Sequence, residues 1–418
     1  MKEKIVVIGA GIAAISGIKA IRELNTEAEI ALFSDEPVYP YNRMKLSKSL
    51  FDTMDQATNL LQRKEWYEQN HVKLHLGEVV QQINPNAQTV TLTTGKQQEF
   101  DKLLITNGAK NRVPELKKSI GTKLHTLRKM EDAQKIHQKL NDIEKVINIG
   151  GGIQGLETAW ILHQQRKKVI VAEIQKRLMS LQLDEKGSRI LQNLAEQFGI
   201  EVLTNTRVIE IKDDNGNSVA ITENGKTIPY DMILYSVGIT PNLEIVNGTS
   251  IQTNRGILVN DHMQTSVENI YAAGDVAEFN GKVFGLWNVA VEQGKIAGYN
   301  MMNQTAIYHP VVPVTTLNGF GITLFSMGDI TGNFATNSIV NEDNVQNTYM
   351  RIFINNDRII GAIMIGDTSK SPLLKSAIEK PICIENVDWS KTTTSELLEY
   401  LKNLKTSKEY KNESCSVL

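Results

Sequence analysis

Lys4-Ile5-Val6-Val7-Ile8-Gly9-Ala10-Gly11-Ile12-Ala13-Ala14 is the stretch on which the fold turns. A β-branched run breaks into a glycine pair, and apolar residues at helical spacing follow as far as Leu24. This is strand, tight turn, helix, with the G-x-G-x-x-G/A pattern at the turn. Gly9 permits the turn, Gly11 leaves room for a pyrophosphate beside the helix N-terminus, and Ala14 is small enough for the helix to lie on the strand. An acid should end the next strand and take ribose hydroxyls, and residues 29–34 run into Asp35 and Glu36. The pattern recurs at Val146-Ile147-Asn148-Ile149-Gly150-Gly151-Gly152-Ile153-Gln154-Gly155, where Gly150, Gly152 and Gly155 hold the three positions. Residues 168–172 then end in Glu173, placed to take both ribose hydroxyls of NADH and to repel a 2′-phosphate. Lys176 and Arg177 follow closely and keep NADPH open as a second coenzyme. Two complete fingerprints in one chain imply two bound dinucleotides.

Composition narrows the classes further. The chain has 418 residues, and 45 Lys+Arg against 47 Asp+Glu leave a net charge of −2, so no global field points to nucleic acid or an anionic membrane. With 41% hydrophobic and 22% charged residues it is an ordinary globular protein. Its two cysteines, Cys383 and Cys415, can form neither a CxxC pair nor a disulfide framework, which fits a reducing cytoplasm. The longest uncharged run, residues 5–18, falls short of the ~20 residues that span a bilayer, and Lys19 closes it without a signal-peptide cleavage site. No membrane segment is expected. His71 and His75 have i, i+4 spacing, but they lie on a strand-like run with no third ligand near, so no metal site is expected.

Three further segments carry a resemblance. Phe100-Asp101-Lys102-Leu103-Leu104-Ile105-Thr106-Asn107-Gly108-Ala109 is similar to the strand and turn of two-dinucleotide flavoproteins, and Tyr230-Asp231-Met232-Ile233-Leu234-Tyr235-Ser236-Val237-Gly238 repeats it. Asn269-Ile270-Tyr271-Ala272-Ala273-Gly274-Asp275 looks like the motif in which a strand delivers an Asp to the ribityl chain of FAD. The chain therefore resembles the FAD/NAD(P)-dependent pyridine nucleotide oxidoreductases. Pro40-Tyr41-Asn42-Arg43-Met44-Lys45-Leu46-Ser47-Lys48 is similar to a segment of their rubredoxin reductase and nitrite reductase flavoprotein branch.

The resemblance implies an α/β fold with two Rossmann-like domains, the NAD domain inserted in the FAD domain, plus a smaller β-rich α+β C-terminal domain. The expected bounds are 1–110 and 230–305 for FAD, 111–229 for NAD(P)H, 306–384 for the β-rich domain, packed on the FAD domain, and 385–418 for a helical tail. It also implies roles. Gly9, Gly11, Ala14, Thr106, Gly108, Gly238, Gly274 and Asp275 would line FAD, with Arg43 on the pyrophosphate side and Asp35 or Glu36 on the ribose. Gly150, Gly152, Gly155 and Glu173 would hold NADH. Lys48 would lie against the flavin N5 region, where a cation stabilises the charge gained on reduction. Glu157 is either a carboxylate facing the nicotinamide, able to pair with Lys48, or an acid favoured by a helix N-terminus. Trp287 is either a wall of the ring pocket or core.

Within the resembling group, thiol relays use cysteines in the loop at 42–48 or in CxxxxC and CxxC motifs, and this chain has none. Electrons are expected to leave the flavin directly for a small redox protein, rubredoxin-like or iron–sulfur. Flavoprotein support of nitrite reduction, cysteine-free NADH oxidation and non-catalytic nucleotide sensing are the alternatives. In resembling enzymes the third domain serves dimerisation or acceptor docking, so a homodimer is one expected form. Thr393-x-x-Glu396 is a capping box for a terminal helix, and the final Cys415-Ser416-Val417-Leu418 matches a prenylation box only formally. With no thiol step, the double change Cys383→Ser, Cys415→Ser is expected to leave NADH-dependent flavin and dye reduction nearly intact in stopped-flow absorbance. Loss of transfer to the acceptor with flavin reduction retained would establish a thiol relay.

Overall fold

Strand Lys4–Ile8 is apolar on both faces, as suits the centre of a parallel sheet covered on both sides. The computed structural model describes residues 2–48, 59–119, 122, 124–214, 217–380, 384, 387–389 and 391–406. They form two units, Met1–Arg112 with Leu127–His137 and Gly238–Val311, and Val113–Thr126 with Gln138–Val237 and Val312–Leu418.

In the first unit a parallel sheet runs in the order Ile270–Ala272, Lys102–Ile105, Lys4–Ile8, Glu29–Ser34, Val72–Leu76. Ile5, Val7, Ile30 and Leu32 face one core, and Val6, Ile8, Phe33 and Leu103 face the other. Helix Ile12–Leu24 makes the crossover after the first strand and packs closely on helix Trp287–Met301. The closeness depends on glycine: a Cβ on Gly294 would strike the carbonyl oxygen of Ala13, and one on Gly298 that of Gly17. An antiparallel meander, Val80–Asn84, Thr89–Leu92 and Gln97–Glu99, contributes to the second core.

The second unit repeats the plan, with Leu124–His125, Met232–Tyr235, Lys145–Ile149, Lys168–Ala172 and Glu201–Leu203 in matching order. Its C-terminal part is an antiparallel five-stranded sheet, ordered Val314–Gly319, Ile322–Gly328, Arg358–Gly366, Thr348–Asn355, Asn337–Asp343. Helices Ser371–Glu379 and Thr394–Thr406 share its core. The capping box forms: Thr393 Oγ1 accepts from the Glu396 N–H at 3.2 Å, and Glu396 Oε2 accepts from the Thr393 N–H at 2.8 Å.

The β-rich domain groups with the second nucleotide-binding fold. Phe320, at the tip of the Val314–Gly328 hairpin with φ +55°, is fully buried against Trp160 at 5.3 Å between ring centres, and Tyr349 and Arg351 bind Asp184. Strands Ile322–Gly328 and Asn337–Asp343 escaped the sequence reading, the latter because it is an exposed, polar edge.

Cys383, Cys415 and the last four residues lie outside the described residues. Among the described residues no helix is long and apolar enough to cross a membrane, and no group of His, Cys, Asp and Glu could hold a metal. His75 instead stacks on Phe33 at 4.4 Å, with Nδ1 3.0 Å from Glu78 Oε1.

Because an added methyl at Gly294 meets backbone, which cannot yield as a side chain can, Gly294→Ala should lower stability by about 1–3 kcal/mol. A chemical denaturation midpoint equal to wild type would refute that packing.

Candidate dinucleotide sites

The two fingerprint turns have nearly the same backbone. Gly9 (φ +93°) donates its N–H to Phe33 O and Gly150 (φ +112°) to Ala172 O, each at 2.8 Å. A Cβ on Gly9 would strike the carbonyl oxygen of Thr106, and one on Gly150 that of Ser236. Thr106 locks the first turn by donating its hydroxyl to Ile8 O at 2.8 Å and Gly9 O at 3.0 Å.

Gly11 and Gly152 are extended, with φ/ψ of −83°/−174° and −81°/−177°, and begin helices Ile12–Leu24 and Ile153–Gln164 without any capping side chain. A Cβ on either would meet nothing within 4 Å. Each turn thus leaves open space in front of backbone N–H groups at the positive end of a helix dipole, which fits a pyrophosphate. At the third position Ala14 is fully buried, whereas a Cβ on Gly155 would strike Gly150 O and come 2.7 Å from Asn148 Nδ2. Asn148 stands where the first turn has Val7 and donates Nδ2 to Gly150 O at 2.8 Å.

Around the first turn the acids are paired within the unit. Glu36 is buried; Oε1 accepts from Arg43 Nη2 at 2.8 Å, and Oε2 from Tyr41 Oη at 2.9 Å and the Met130 N–H at 3.1 Å. Burial pushes the Tyr41 phenol well above its ordinary value, so it remains a neutral donor. Asp35 is more exposed and pairs with Lys129. Asp275 Oδ2 accepts from Arg128 Nη2 at 2.6 Å, and Arg128 Nε donates to Ala109 O at 3.1 Å. Gly274, with φ +80°, donates its N–H to Gln293 Oε1 at 2.9 Å. Trp287 opens its helix half-buried. Gly108 and Gly238 flank a short ribbon, Ala109–Asn111 paired with Ile239–Pro241, in which Asn107 and Asn242 each donate Nδ2 to the other's carbonyl.

At the second turn Glu173 is buried, with Oε2 accepting from the Gly151 N–H at 2.5 Å and Oε1 from the Gln175 N–H at 2.7 Å. Arg177 donates Nη2 to Ser180 O at 3.2 Å. Glu157 is buried on the helix that begins at Ile153, in the second unit, while Lys48 ends the short helix Lys45–Lys48 in the first.

Residues 3–294 match the pyridine nucleotide-disulphide oxidoreductase family, and residues 313–382 match the rubredoxin NAD+ reductase C-terminal domain. This chain belongs to the pyridine nucleotide-disulphide oxidoreductase family. It is 33% identical to the NADH-rubredoxin oxidoreductase of Clostridium acetobutylicum over 92% of this chain and 96% of that protein. A crystal structure of the Clostridium acetobutylicum enzyme aligns with a TM-score of 0.77 and 30% identity, covering 96% of this chain and all of that one. The assimilatory nitrate reductase electron transfer subunit of Bacillus subtilis is 32% identical over 91% of this chain, which spans half of that protein's length. Membership makes the chain an NADH-dependent flavoprotein oxidoreductase, with FAD and NADH as its cofactors. The two open fingerprint turns of this pyridine nucleotide oxidoreductase fit those groups.

The sequence reading missed Arg128, Tyr41 and Gln293 as partners of the site acids and turns. Tyr41 lies in the segment quoted above for its neighbours. Arg128 had no local signal, because Asp275 lies 147 residues away.

The glycines separate into two kinds, which a pair of variants can expose. Gly11→Val places its side chain in open space, so the protein should keep its melting temperature while FAD affinity falls by more than about 100-fold, the worth of several phosphate hydrogen bonds. Gly9→Val should instead unfold the turn. Retention of FAD at wild-type affinity by Gly11→Val, measured by flavin fluorescence, would remove the pyrophosphate from this position.

Proposed function

We propose that this protein is a cytoplasmic NADH oxidoreductase that delivers electrons through FAD to a small rubredoxin-like iron protein. One observation carries the reading: the β-rich sheet that follows the two fingerprints matches the rubredoxin NAD+ reductase C-terminal domain. When bound, FAD accepts a hydride from NADH and hands on the electrons singly, so that one NADH reduces two ferric acceptors and leaves one proton.

In this reading Gly9, Gly11 and Ala14 seat the FAD pyrophosphate, with Arg43 near it and Asp35 or Glu36 on the ribose. Asp275 and Gly274 hold the ribityl side, Thr106, Gly108 and Gly238 close the turns around it, and Trp287 walls the ring. Gly150, Gly152 and Gly155 seat NADH, and Glu173 takes its adenosine ribose; Lys176 and Arg177 allow some use of NADPH. Lys48 supplies a cation at the flavin edge that gains charge, and Glu157 faces the nicotinamide. The loop that would carry a redox thiol has Arg43, Lys45 and Lys48 instead, a cationic group suited to an acidic partner. The Bacillus subtilis relatives favour a second reading, the flavoprotein portion of a nitrate- or nitrite-reducing assembly.

NADH oxidation measured with rubredoxin, ferredoxin and nitrite-reducing partners under argon, and with oxygen in air, tests these roles. Rubredoxin should be reduced fastest. Its reduction should slow as salt rises from roughly 0.01 M to roughly 0.1 M, where the screening length falls from about 30 Å to about 10 Å, while flavin bleaching by NADH holds its rate. Lys45→Glu should raise KM for the acceptor and leave bleaching unchanged. Oxygen outpacing every protein acceptor at all salt concentrations would make the protein an NADH oxidase, and a flavin that never bleaches would make it a nucleotide sensor.

A further inference from the structure

The C-terminal sheet reaches the second fingerprint through one carboxylate. Asp184 caps helix Glu185–Gln197, its Oδ1 accepting from the Gly187 N–H at 2.9 Å. Its Oδ2 accepts from Tyr349 Oη at 2.6 Å and from Arg351 Nη1 at 3.0 Å. Both donors stand on strand Thr348–Asn355. Burial and the neighbouring carboxylate raise the Tyr349 phenol far above its ordinary value, so it stays a donor. Arg351 is held from its other side by the ring of Phe353, 4.7 Å away. Ile365 of strand Arg358–Gly366 reaches within 3.4 Å of the Cβ position of Gly187.

On the nucleotide side the same helix supports the loop that follows Glu173. Ser188 Oγ donates to Leu178 O at 2.7 Å, and the Leu183 N–H donates to Met179 O at 2.9 Å. Leu178 Cδ2 covers Gly151 so tightly that a Cβ there would lie 2.6 Å away, and the Met179 N–H donates to Gly151 O at 3.0 Å. Gly151 in turn gives its N–H to Glu173. Leu178, Met179 and Leu183 are all buried, and Met179 is held at φ +46°, a conformation that surrounding contacts must enforce. From strand Thr348–Asn355 to Glu173 every step is a buried contact or a hydrogen bond. Ordinary joining of a domain would not need to run through the loop that borders the ribose-binding acid.

We infer that Asp184, held by Tyr349 and Arg351, is a positioning residue for the NADH site, so that the C-terminal domain shapes the seat of the adenosine half of the coenzyme. The inference rests on the reading that places this half of NADH at Glu173. Removing the donors to Oδ2 loosens helix Glu185–Gln197 and residues 174–183, and with them Gly151 and Glu173. The nicotinamide half gains nothing from this support.

Calorimetric titration of the FAD-loaded protein with ADP-ribose reads the effect without turnover. Tyr349→Phe and Asp184→Asn, the latter keeping an Oδ1 cap, should each weaken ADP-ribose binding by about five- to tenfold, an indirect effect that carries part of the worth of one hydrogen bond to a charged group. KM for NADH should rise by the same factor. kcat/KM for reduced nicotinamide mononucleotide, which lacks the adenosine half, should hold. Wild-type affinity for ADP-ribose in folded Tyr349→Phe, or an equal loss for NADH and the mononucleotide, would reduce the triad to domain glue. If Asp184→Asn does not fold, Tyr349→Phe carries the test. Gly152→Val checks the underlying reading separately: undiminished ADP-ribose binding there would move the coenzyme away from the second fingerprint, whatever Tyr349→Phe does.

Discussion

A helix begun without a cap is the constraint on which the rest of this molecule depends. The first turn of a helix exposes backbone N–H groups that a side chain usually satisfies, a contribution of about 1 kcal/mol. Gly11 and Gly152 provide no such group at either fingerprint. An anion can take the place of the cap, and the helix dipole favours it. The space has to stay clear for that anion, so the preceding glycines adopt φ values closed to other residues and press against the carbonyls of Thr106 and Ser236. The parallel sheets supply the two rigid strands that hold each turn in this shape.

Such a site collects charge, and the first unit manages its own acids by pairing them. Glu36 with Arg43, Asp35 with Lys129 and Asp275 with Arg128 each bring opposite charges together. Two of the three cations come from the short return segment Leu127–His137, whose Met130 N–H also binds Glu36. Through these bonds the segment Leu127–His137 belongs to the first unit, although the chain places it beside strands of the second.

The acceptor side follows from what the chain lacks as much as from what it has. With no cysteine in the 42–48 loop, a two-electron thiol relay has no starting atom, and an acceptor that takes electrons one at a time suits the reduced cofactor. The sheet matching the rubredoxin reductase C-terminal domain shares a unit with the second fingerprint through Phe320, Tyr349 and Arg351. That fingerprint and the matched domain are therefore parts of one body.

Local pattern carried the sequence reading a long way. Both fingerprints, the strands they follow, Glu173 and the Gly274-Asp275 turn are short-range signals, since each requires only a few adjacent residues with a definite backbone need. The capping box at Thr393 is of the same kind. Long-range choices were not legible. Arg128 meets Asp275, and Tyr349 meets Asp184, across 147 and 165 residues, and nothing near either arginine or tyrosine announces its partner. The attachment of the β-rich domain to the second fold is of the same kind: Phe320 and Trp160 are ordinary aromatic residues until the two folds bring them together. Asn148 is the intermediate case. Its sequence showed only a polar residue in a buried strand, and the folded turn decided that it would hold the Gly150 carbonyl, which a Cβ at position 155 would strike. Sequence alone determined where the backbone leaves open space at a helix start, because that depends on neighbouring φ angles. Which charged side chains pair around those turns was settled by tertiary structure, because only packing selects partners for a charge.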